Sequence, residues 1–289
     1  MTYKYAVIGN PIAHSKSPQI HKMFAEQTGE DISYEAKLAP LGGFEIFRKF
    51  VEAELIAKGF KGCNVTVPFK FEASKITDGF GFEVMDALES GPMPYAVNTL
   101  LFLNDKIGGY NTDGTGLIND IEKNLGFPLK GKHILLIGAG GAAAGVLHPL
   151  LEASQSPLVI YNRTLEKAES LIKTTTQHEK FRLFSIKAVE FAGFENEQFD
   201  VVINATSAGL SDEMPPLPPG LFAPNALAYD MMYGKETLFM KFALSQGVSK
   251  DRVVDGLGML VEQAAESFHI WRRVRPQTAP VIAALRSAQ

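Results

Sequence analysis

Two short segments carry groups whose types and spacing suit chemistry at an alcohol or a ketone. In Asn64-Val65-Thr66-Val67-Pro68-Phe69-Lys70, Asn64 and Thr66 alternate at the end of an extended run, so both polar groups face the same way. Pro68 then stops strand pairing and directs Lys70 to the start of the next helix. In Tyr110-Asn111-Thr112-Asp113-Gly114-Thr115-Gly116, Asp113 lies between a strand and a helix. There it either caps Thr115 or Gly116 or faces Lys70 across a substrate. Reduction of a ketone needs hydride on carbon and a proton on the developing alkoxide. A lysine supplies that proton, and a nearby carboxylate holds and tunes it.

Residues 132–164 point to the source of the hydride. Lys132–Ile137 is an apolar run ending in Gly138-Ala139-Gly140-Gly141-Ala142-Ala143, and an Ala/Leu-rich helical stretch follows to Ala153. In such a strand–turn–helix the first Gly permits the tight bend and the second lets the backbone approach a pyrophosphate. The small Ala143 lets the helix pack on the strand. The helix N-terminus then offers free N–H groups to phosphate. The next extended run, Pro157–Tyr161, ends in Asn162-Arg163-Thr164. An acidic residue there would accept from a ribose 2′-OH. The fork of Arg163, the Thr164 hydroxyl and Lys167 suit a 2′-phosphate instead, so the cofactor is read as NADP.

These groups need elements to hold them. The N-terminal third alternates: Tyr3–Ile8 extended, Pro18–Gln27 helical, Ser33–Lys37 extended, Phe44–Lys58 helical, Gly62–Val67 extended. After a Gly/Pro-rich stretch, 79–94, come strands at Ala96–Leu103 and Lys106–Tyr110 and a helix at Asp113–Leu125. Beyond the nucleotide unit, strands are expected at Arg182–Ile186, Phe199–Asn204 and Ala226–Tyr229, with a proline-rich loop at Ser207–Pro224. A helix at Glu236–Gln246, an extended piece at Arg252–Val254 and helices at Gly258–Arg273 and Thr278–Arg286 complete the chain. The alternation predicts an α/β fold with crossover connections.

Composition narrows the function classes. The 289 residues carry a net charge of −4 and no basic stripe, which argues against a nucleic-acid partner. No apolar stretch approaches a membrane span, and Met1–Tyr5 lacks the layout of a signal peptide, so a cytoplasmic protein is expected. Cys63, the single cysteine, reads as a small buried filler. His14 and His21 have no Cys or acidic cluster beside them, so no metal is expected. The Phe and Leu residues of the last helices read as core, and Glu262 and Glu266 as a solvated face.

SKSP at 15–18, NVTVPFK at 64–70, AVNT at 96–99, NTDGTG at 111–116, GAGGAA at 138–143, NRT at 162–164, NATSAG at 204–209 and DGLGMLVEQAA at 255–265 together resemble the shikimate dehydrogenase family, over nearly the whole chain. The resemblance implies reversible NADPH-dependent reduction of 3-dehydroshikimate to shikimate. It implies a substrate-binding and catalytic domain at 1–113, a Rossmann-like NADP-binding domain at 114–255, C-terminal helices at 256–289 returning to the first, and a cleft between the domains. Ser15 and Ser17 would hold the substrate carboxylate. Asn64, Thr66, Asn98, Asp113 and Gln263 would hold its hydroxyls, Lys70 with Asp113 would form the catalytic pair, and Tyr233 would reach the substrate. Gly138, Ala139, Gly140, Gly141, Ala142, Asn162, Arg163, Thr164 and Lys167 match the cofactor site. Thr206, Met231, Gly256 and Met259 match its nicotinamide and ribose surroundings. Two positions depart from the family: Ala144 stands where Arg is common, and Tyr95 where Gly is usual. A small-molecule partner is implied, with the chain a monomer or homodimer. The rival readings are a quinate or dual quinate/shikimate dehydrogenase using NAD, and a nucleotide-dependent binding protein without catalysis. Arg163 with no acidic neighbour argues against the first, and retention of Lys70 and Asp113 against the second. Arg163→Ala is expected to raise the KM for NADP⁺ while leaving that for NAD⁺ nearly unchanged; equal losses in steady-state assays would refute the 2′-phosphate role.

Overall fold

The computed structural model describes residues 2–80, 96–104, 106–190, 193–194, 197–206 and 213–288. Tyr95, and all of the 79–94 stretch beyond Phe80, lie outside them, as do positions 207–212 of the proline-rich loop. The described chain divides into two compact units, one running to Gly116 and resuming with Val261–Ala288, the other Leu117–Leu260. The changeovers fall within helices, whereas the sequence reading set its boundaries after residues 113 and 255.

In the first unit, β-branched and aromatic runs form β1 (Tyr3–Gly9), β2 (Ile32–Leu38) and β3 (Phe60–Val65), with α1 (Ser17–Thr28) and α2 (Phe44–Val51) as their crossovers. Helix α3 (Lys70–Lys75) follows β3, and then come the two-residue β4 (Gly79–Phe80), β5 (Thr99–Leu103) and β6 (Lys106–Tyr110). The sheet order is β2-β1-β3-β5-β6-β4. β1 lies parallel to β2 and β3, while β5 runs antiparallel to both β3 and β6. Strand periodicity sorts the core into two faces. Ala6, Ile8, Cys63 and Val65 pack with Phe47, Val51 and Leu55, and Tyr5 and Leu101 pack with Trp271 from the helix Leu257–Arg272. The indole stacks on Tyr5 at 4.5 Å and donates to the Leu100 carbonyl at 3.0 Å. Gly62 makes that approach possible, since a Cβ there would lie 2.5 Å from the Trp271 Nε1.

The second unit is a parallel sheet built from near-continuous apolar strands, as two-sided burial requires. Helix α4 (Asp113–Asn119) leads into it, and β7 (Ile134–Ile137), α5 (Gly141–Ser154), β8 (Leu158–Tyr161), α6 (Leu165–Thr176) and β9 (Ile186–Val189) form its first half. β10 (Phe199–Asn204), β11 (Phe222–Asp230), α7 (Leu238–Ser245) and β12 (Val253–Asp255) form the second, before α8 (Leu257–Arg272) and α9 (Ala279–Ser287). The order β12-β11-β10-β7-β8-β9 reverses direction between β7 and β10, which makes the carboxyl ends of those strands the topological switch point.

Several elements differ from the sequence reading. The helix expected at Phe44–Lys58 turns π-helical at Glu52–Ile56, with Ala57 N–H bonding Glu52, and the Asp113–Leu125 helix does the same at Asp120–Asn124. The strand expected at Arg182–Ile186 lies later, at β9, because Glu179–Phe181 closes a 3₁₀ turn and buries Phe181 against His148. The run from Ala96 pairs as a strand only from Thr99. β11 begins before Ala226, and the register slips between Phe199 and Val201, opposite a stretch containing Pro224 and Asn225 at φ +62°. Glu262 is buried, not solvated: Thr278 donates to it at 2.5 Å and Arg275 pairs with it. Arg275 and Thr278, in the connection between α8 and α9, meet the face that periodicity alone left to solvent. Cys63 is buried, and burial pushes its thiol pKa up.

Two histidines, His21 buried and His148 half-buried, are held neutral. His21 stacks on Tyr34 at 4.1 Å, and burial pulls its pKa down to about 3. His148 stacks on Phe181 at 4.1 Å, and burial, followed by the neighbouring His178, pulls it down to about 4. The unfolded chain protonates both near pH 6.5, so it binds more protons than the folded state below that pH. Their contribution to stability is therefore complete above pH 6.5 and drains as the pH falls towards 4 and then 3. Between pH 6.5 and 5.5 each histidine is expected to remove roughly 1 kcal/mol of unfolding free energy. Urea unfolding of His148→Phe should show a shallower fall over that interval than the wild type; an identical fall would contradict the assignment.

Candidate active site

Burial at the end of β3 sets up the first cluster. Phe69, buried and stacked on Phe47 at 5.1 Å, anchors the turn after Thr66, and α3 begins at the next residue. The Lys70 carbonyl accepts from the Val97 N–H at 2.9 Å, which ties this turn to the segment carrying Asn98. The Lys70 Nζ forms an ion pair with the Asp113 Oδ2, and both side chains are largely buried. The other carboxylate oxygen, Oδ1, accepts from the Asn98 Nδ2 at 2.8 Å. The Asp113 side chain thus serves Lys70 and Asn98 rather than Thr115 or Gly116, while the Gly116 N–H bonds the Thr112 carbonyl. Asn111 accepts from the Asp113 N–H at 2.9 Å, which fixes the start of α4.

Asn98 is the centre of this cluster. Its Oδ1 accepts from the Thr112 N–H and the Thr99 hydroxyl, both at 2.9 Å, so its Nδ2 must face Asp113. The same Nδ2 reaches the Gln263 Oε1 at 3.3 Å, and the Thr112 hydroxyl reaches that oxygen at 3.3 Å. Asn64 lies alongside, its Nδ2 donating to the Thr99 Oγ1 at 3.0 Å and the Ser267 Oγ at 2.9 Å. Lys70, Asp113, Asn98, Asn64 and Gln263 are therefore brought together by hydrogen bonds. Ser15 and Ser17 lie at the start of α1, where the Ser17 N–H donates to the Ser15 Oγ at 3.3 Å. Thr66 packs its methyl against Gly9, where a Cβ would come within 2.5 Å of it.

The second cluster belongs to the Leu117–Leu260 unit. Gly138 leaves β7 at φ +110°, and a Cβ there would lie 3.2 Å from the Ala205 carbonyl oxygen at the end of β10. Only glycine fits both conditions. A Cβ on Gly140 would meet nothing within 4 Å, so the surface over the α5 N-terminus is open there. That terminus has no side-chain cap and no acidic residue in its first turn; Ala143 is fully buried beneath it. Free N–H groups beneath an open surface suit a pyrophosphate. After β8, Asn162 folds back to the Thr164 carbonyl at 2.7 Å, while Arg163, Thr164 and Lys167 stay exposed. Thr164 precedes α6 without using its hydroxyl as a cap, so the hydroxyl and the guanidinium are available to a phosphate. Ala144, in place of a basic residue, packs against the core.

Asn204 organises the rest. Its Oδ1 accepts from the Thr206 N–H and hydroxyl at 3.2 and 2.8 Å, and its carbonyl accepts from the Met231 N–H at 3.0 Å. Its Nδ2 donates to Asp230, which is fully buried and also accepts from Thr237 and the Met232 N–H. Burial raises the Asp230 pKa, and these three donors pull it back. A Cβ on Gly256 would overlap the Met231 carbonyl, so glycine is required for that contact. Met259 is buried in the core beside Tyr229, and Tyr233 follows on the half-buried turn after Met231. Among the described residues no group of three His, Cys, Asp or Glu could hold a metal.

The motifs missed several groups that hold these clusters: Tyr34, Thr99, Thr112 and Ser267 in one unit, Asp120, Asn204 and Asp230 in the other. Thr99 and Thr112 lie inside quoted motifs, and Ser267 lies one helical turn beyond Gln263, so helical spacing carried a signal. Tyr34 carried none, because a tyrosine in a strand is ordinary.

Comparison with known proteins gives three matches in chain order. Residues 7–88 match the family described as "Shikimate dehydrogenase substrate binding domain", residues 120–211 "Shikimate / quinate 5-dehydrogenase", and residues 256–286 "Shikimate 5'-dehydrogenase C-terminal domain". The shikimate dehydrogenase (NADP(+)) of Methylobacillus flagellatus is 54% identical over 285 residues, covering 99% of each chain. Among solved structures, the shikimate 5-dehydrogenase of Thermus thermophilus in complex with NADP(H) and shikimate is 32% identical, with a TM-score of 0.80 over 100% of each chain. An Ael1 enzyme from Pseudomonas putida is 41% identical, with a TM-score of 0.83 over 98% of each chain.

Proposed function

The chain belongs to the shikimate dehydrogenase family, and on that premise we propose that it interconverts 3-dehydroshikimate and shikimate with NADPH and NADP⁺, using Lys70 and Asp113 for the proton. The observation that carries this reading is the ion pair of Lys70 and Asp113, with the second carboxylate oxygen held by Asn98. Bound NADP supplies the hydride chemistry. In the reducing direction, the Lys70 ammonium gives a proton to the carbonyl oxygen as negative charge develops on it, and the amine left behind is reprotonated from solvent. In the oxidising direction the same nitrogen, as the free amine, takes the hydroxyl proton. Asp113 keeps the nitrogen at one place throughout, so little reorganisation accompanies the transfer.

The remaining groups suit a small anionic polyol. Ser15 and Ser17 hold its carboxylate through hydroxyl and backbone donors, and Asn64, Thr66, Asn98 and Gln263 hold its ring hydroxyls, with Tyr233 as a further contact. A buried amide left without its hydroxyl partner is costly, which is how such a site rejects an analogue. The pyrophosphate is received by residues 138–142 at the α5 N-terminus, and the 2′-phosphate by Arg163, Thr164 and Lys167 beside Asn162. Thr206, Met231, Gly256 and Met259 line the nicotinamide side. Residues 1–113 with 256–289 form the substrate part and 114–255 the nucleotide part. The enzyme works as a monomer or homodimer in the cytoplasm.

Steady-state assays with shikimate and quinate, each with NADP⁺ and NAD⁺, test the reading. Shikimate with NADP⁺ is expected to give the highest kcat/KM. Faster turnover of quinate with NAD⁺ would replace this reading with the dual-specificity one, and no turnover with any pair would reject catalysis. Lys70→Ala is expected to lower kcat by about 10²–10⁴-fold with a smaller effect on shikimate KM.

A further inference from the structure

Four hydrogen bonds run head to tail through the first unit and end on Asp113. The Tyr34 hydroxyl donates to the Asn64 Oδ1 at 2.7 Å, and the Asn64 Nδ2 donates to the Thr99 Oγ1 at 3.0 Å. The Thr99 hydroxyl donates to the Asn98 Oδ1 at 2.9 Å, and the Asn98 Nδ2 donates to the Asp113 Oδ1 at 2.8 Å. An amide oxygen only accepts and an amide nitrogen only donates, so the two asparagines set the direction; the Thr99 hydroxyl joins them by donating to the Asn98 Oδ1, which leaves the Ser267 Oγ, 2.8 Å away, to donate to Thr99. The Tyr34 hydroxyl gives its proton to Asn64, while its oxygen also meets the Ser17 side chain at the start of α1. Burial holds the phenol pKa well above its ordinary value, so the hydroxyl remains a donor.

The ring is held separately from the hydroxyl. It stacks on His21 at 4.1 Å with 8° between the planes and lies tilted against Trp271 at 6.2 Å. Removing the hydroxyl alone therefore leaves the aromatic packing in place. We propose that Tyr34 is a positioning residue for the reaction: its hydroxyl fixes the orientation of the Asn64 amide and, through Thr99 and Asn98, that of the Asp113 carboxylate. The inference rests on the functional reading above. Without the tyrosine hydroxyl, the Asn64 Oδ1 loses its donor, and the amide is held at its nitrogen end alone, by the Asn98 carbonyl, Thr99 and Ser267, so its oxygen is less firmly placed for a substrate hydroxyl. The loss falls on substrate binding first, because Thr112 still holds Asn98 from the other side.

Tyr34→Phe is expected to raise the KM for shikimate about fivefold, the worth of one hydrogen bond, with kcat and the KM for NADP⁺ within about twofold of wild type. Thr99→Val cuts the chain one link closer to Asp113 and should also lower kcat, while Thr99→Ser, which keeps the hydroxyl, should restore wild-type values. In the Tyr34→Phe/Thr99→Val double variant the two effects on the shikimate KM should be non-additive, since both residues hold the same Asn64 amide. A merely structural role would lower the melting temperature and the active fraction without separating the two KM values. An unchanged shikimate KM in Tyr34→Phe overturns the proposal, as do equal rises in both KM values or additive effects in the double variant. If Tyr34→Phe fails to fold, Thr99→Val and Thr99→Ser decide alone, and equal shikimate KM values in those two overturn it. A wild-type chain inactive on shikimate removes the functional reading and this inference with it; an active wild type with an unaltered Tyr34→Phe removes only the inference.

Discussion

The Asp113 carboxylate is buried with a charge on one oxygen and a neutral amide on the other, and much of the first unit is arranged around that condition. A buried ion pair broken on one side leaves an uncompensated charge, at a cost of roughly 3–5 kcal/mol. The fold must therefore deliver Lys70 and Asp113 together although 43 positions separate them in the sequence. It does so by ending β3 in a turn anchored by Phe69 and by bonding that turn to the segment that carries Asn98. The neutral partner matters as much as the charged one. Because Thr99 and Thr112 occupy the Asn98 oxygen, its nitrogen faces the carboxylate and does not compete with Lys70 for a proton.

The second unit uses the same device for a different end. Asn204 is held by Asp230 through its nitrogen and presents its oxygen to Thr206, at the switch point of a parallel sheet. Asp120 does comparable work at the start of α8: it accepts from the Tyr229 hydroxyl at 2.6 Å, and its carboxylate occupies the space where a Cβ on residue 258 would fall. Asn204 carries orientation through fixed donor and acceptor ends, and Asp120 through a carboxylate whose oxygens are already occupied. Such networks are worth having only when every member is satisfied. The glycines at 138 and 256 complement them by letting backbone approach backbone where any side chain would intrude.

Local chemistry was legible in the sequence, and long-range pairing was not. The glycine turn could be read because strand, turn and helix adjoin in the chain, and Gly138 adopts the positive φ that such a turn requires. Asp113 could be read two ways, as a helix cap or as a partner of Lys70, because the choice depends on a residue outside its own segment. Tyr34 and Ser267 escaped notice for the same reason: their partners lie on other elements, and neither residue type is unusual where it stands. Glu262 departs from the solvated face expected for it because helical periodicity cannot foresee that the chain turns after α8 and brings Arg275 and Thr278 onto it. The π-helical turns at Glu52–Ile56 and Asp120–Asn124 have no residue signature, and the early start of β11 runs through a proline that ordinarily argues against a strand.

The central claim is that the negative charge of Asp113, held in place by Asn98, keeps Lys70 competent to move the proton. Asp113→Asn keeps the size of the side chain and its capacity to hydrogen-bond while removing the charge, so kcat for shikimate oxidation by this variant measures the claim directly. With folding checked by thermal melting, kcat is expected to fall at least about 100-fold while the KM for NADP⁺ changes less than about twofold. A folded Asp113→Asn enzyme with wild-type kcat would contradict the account.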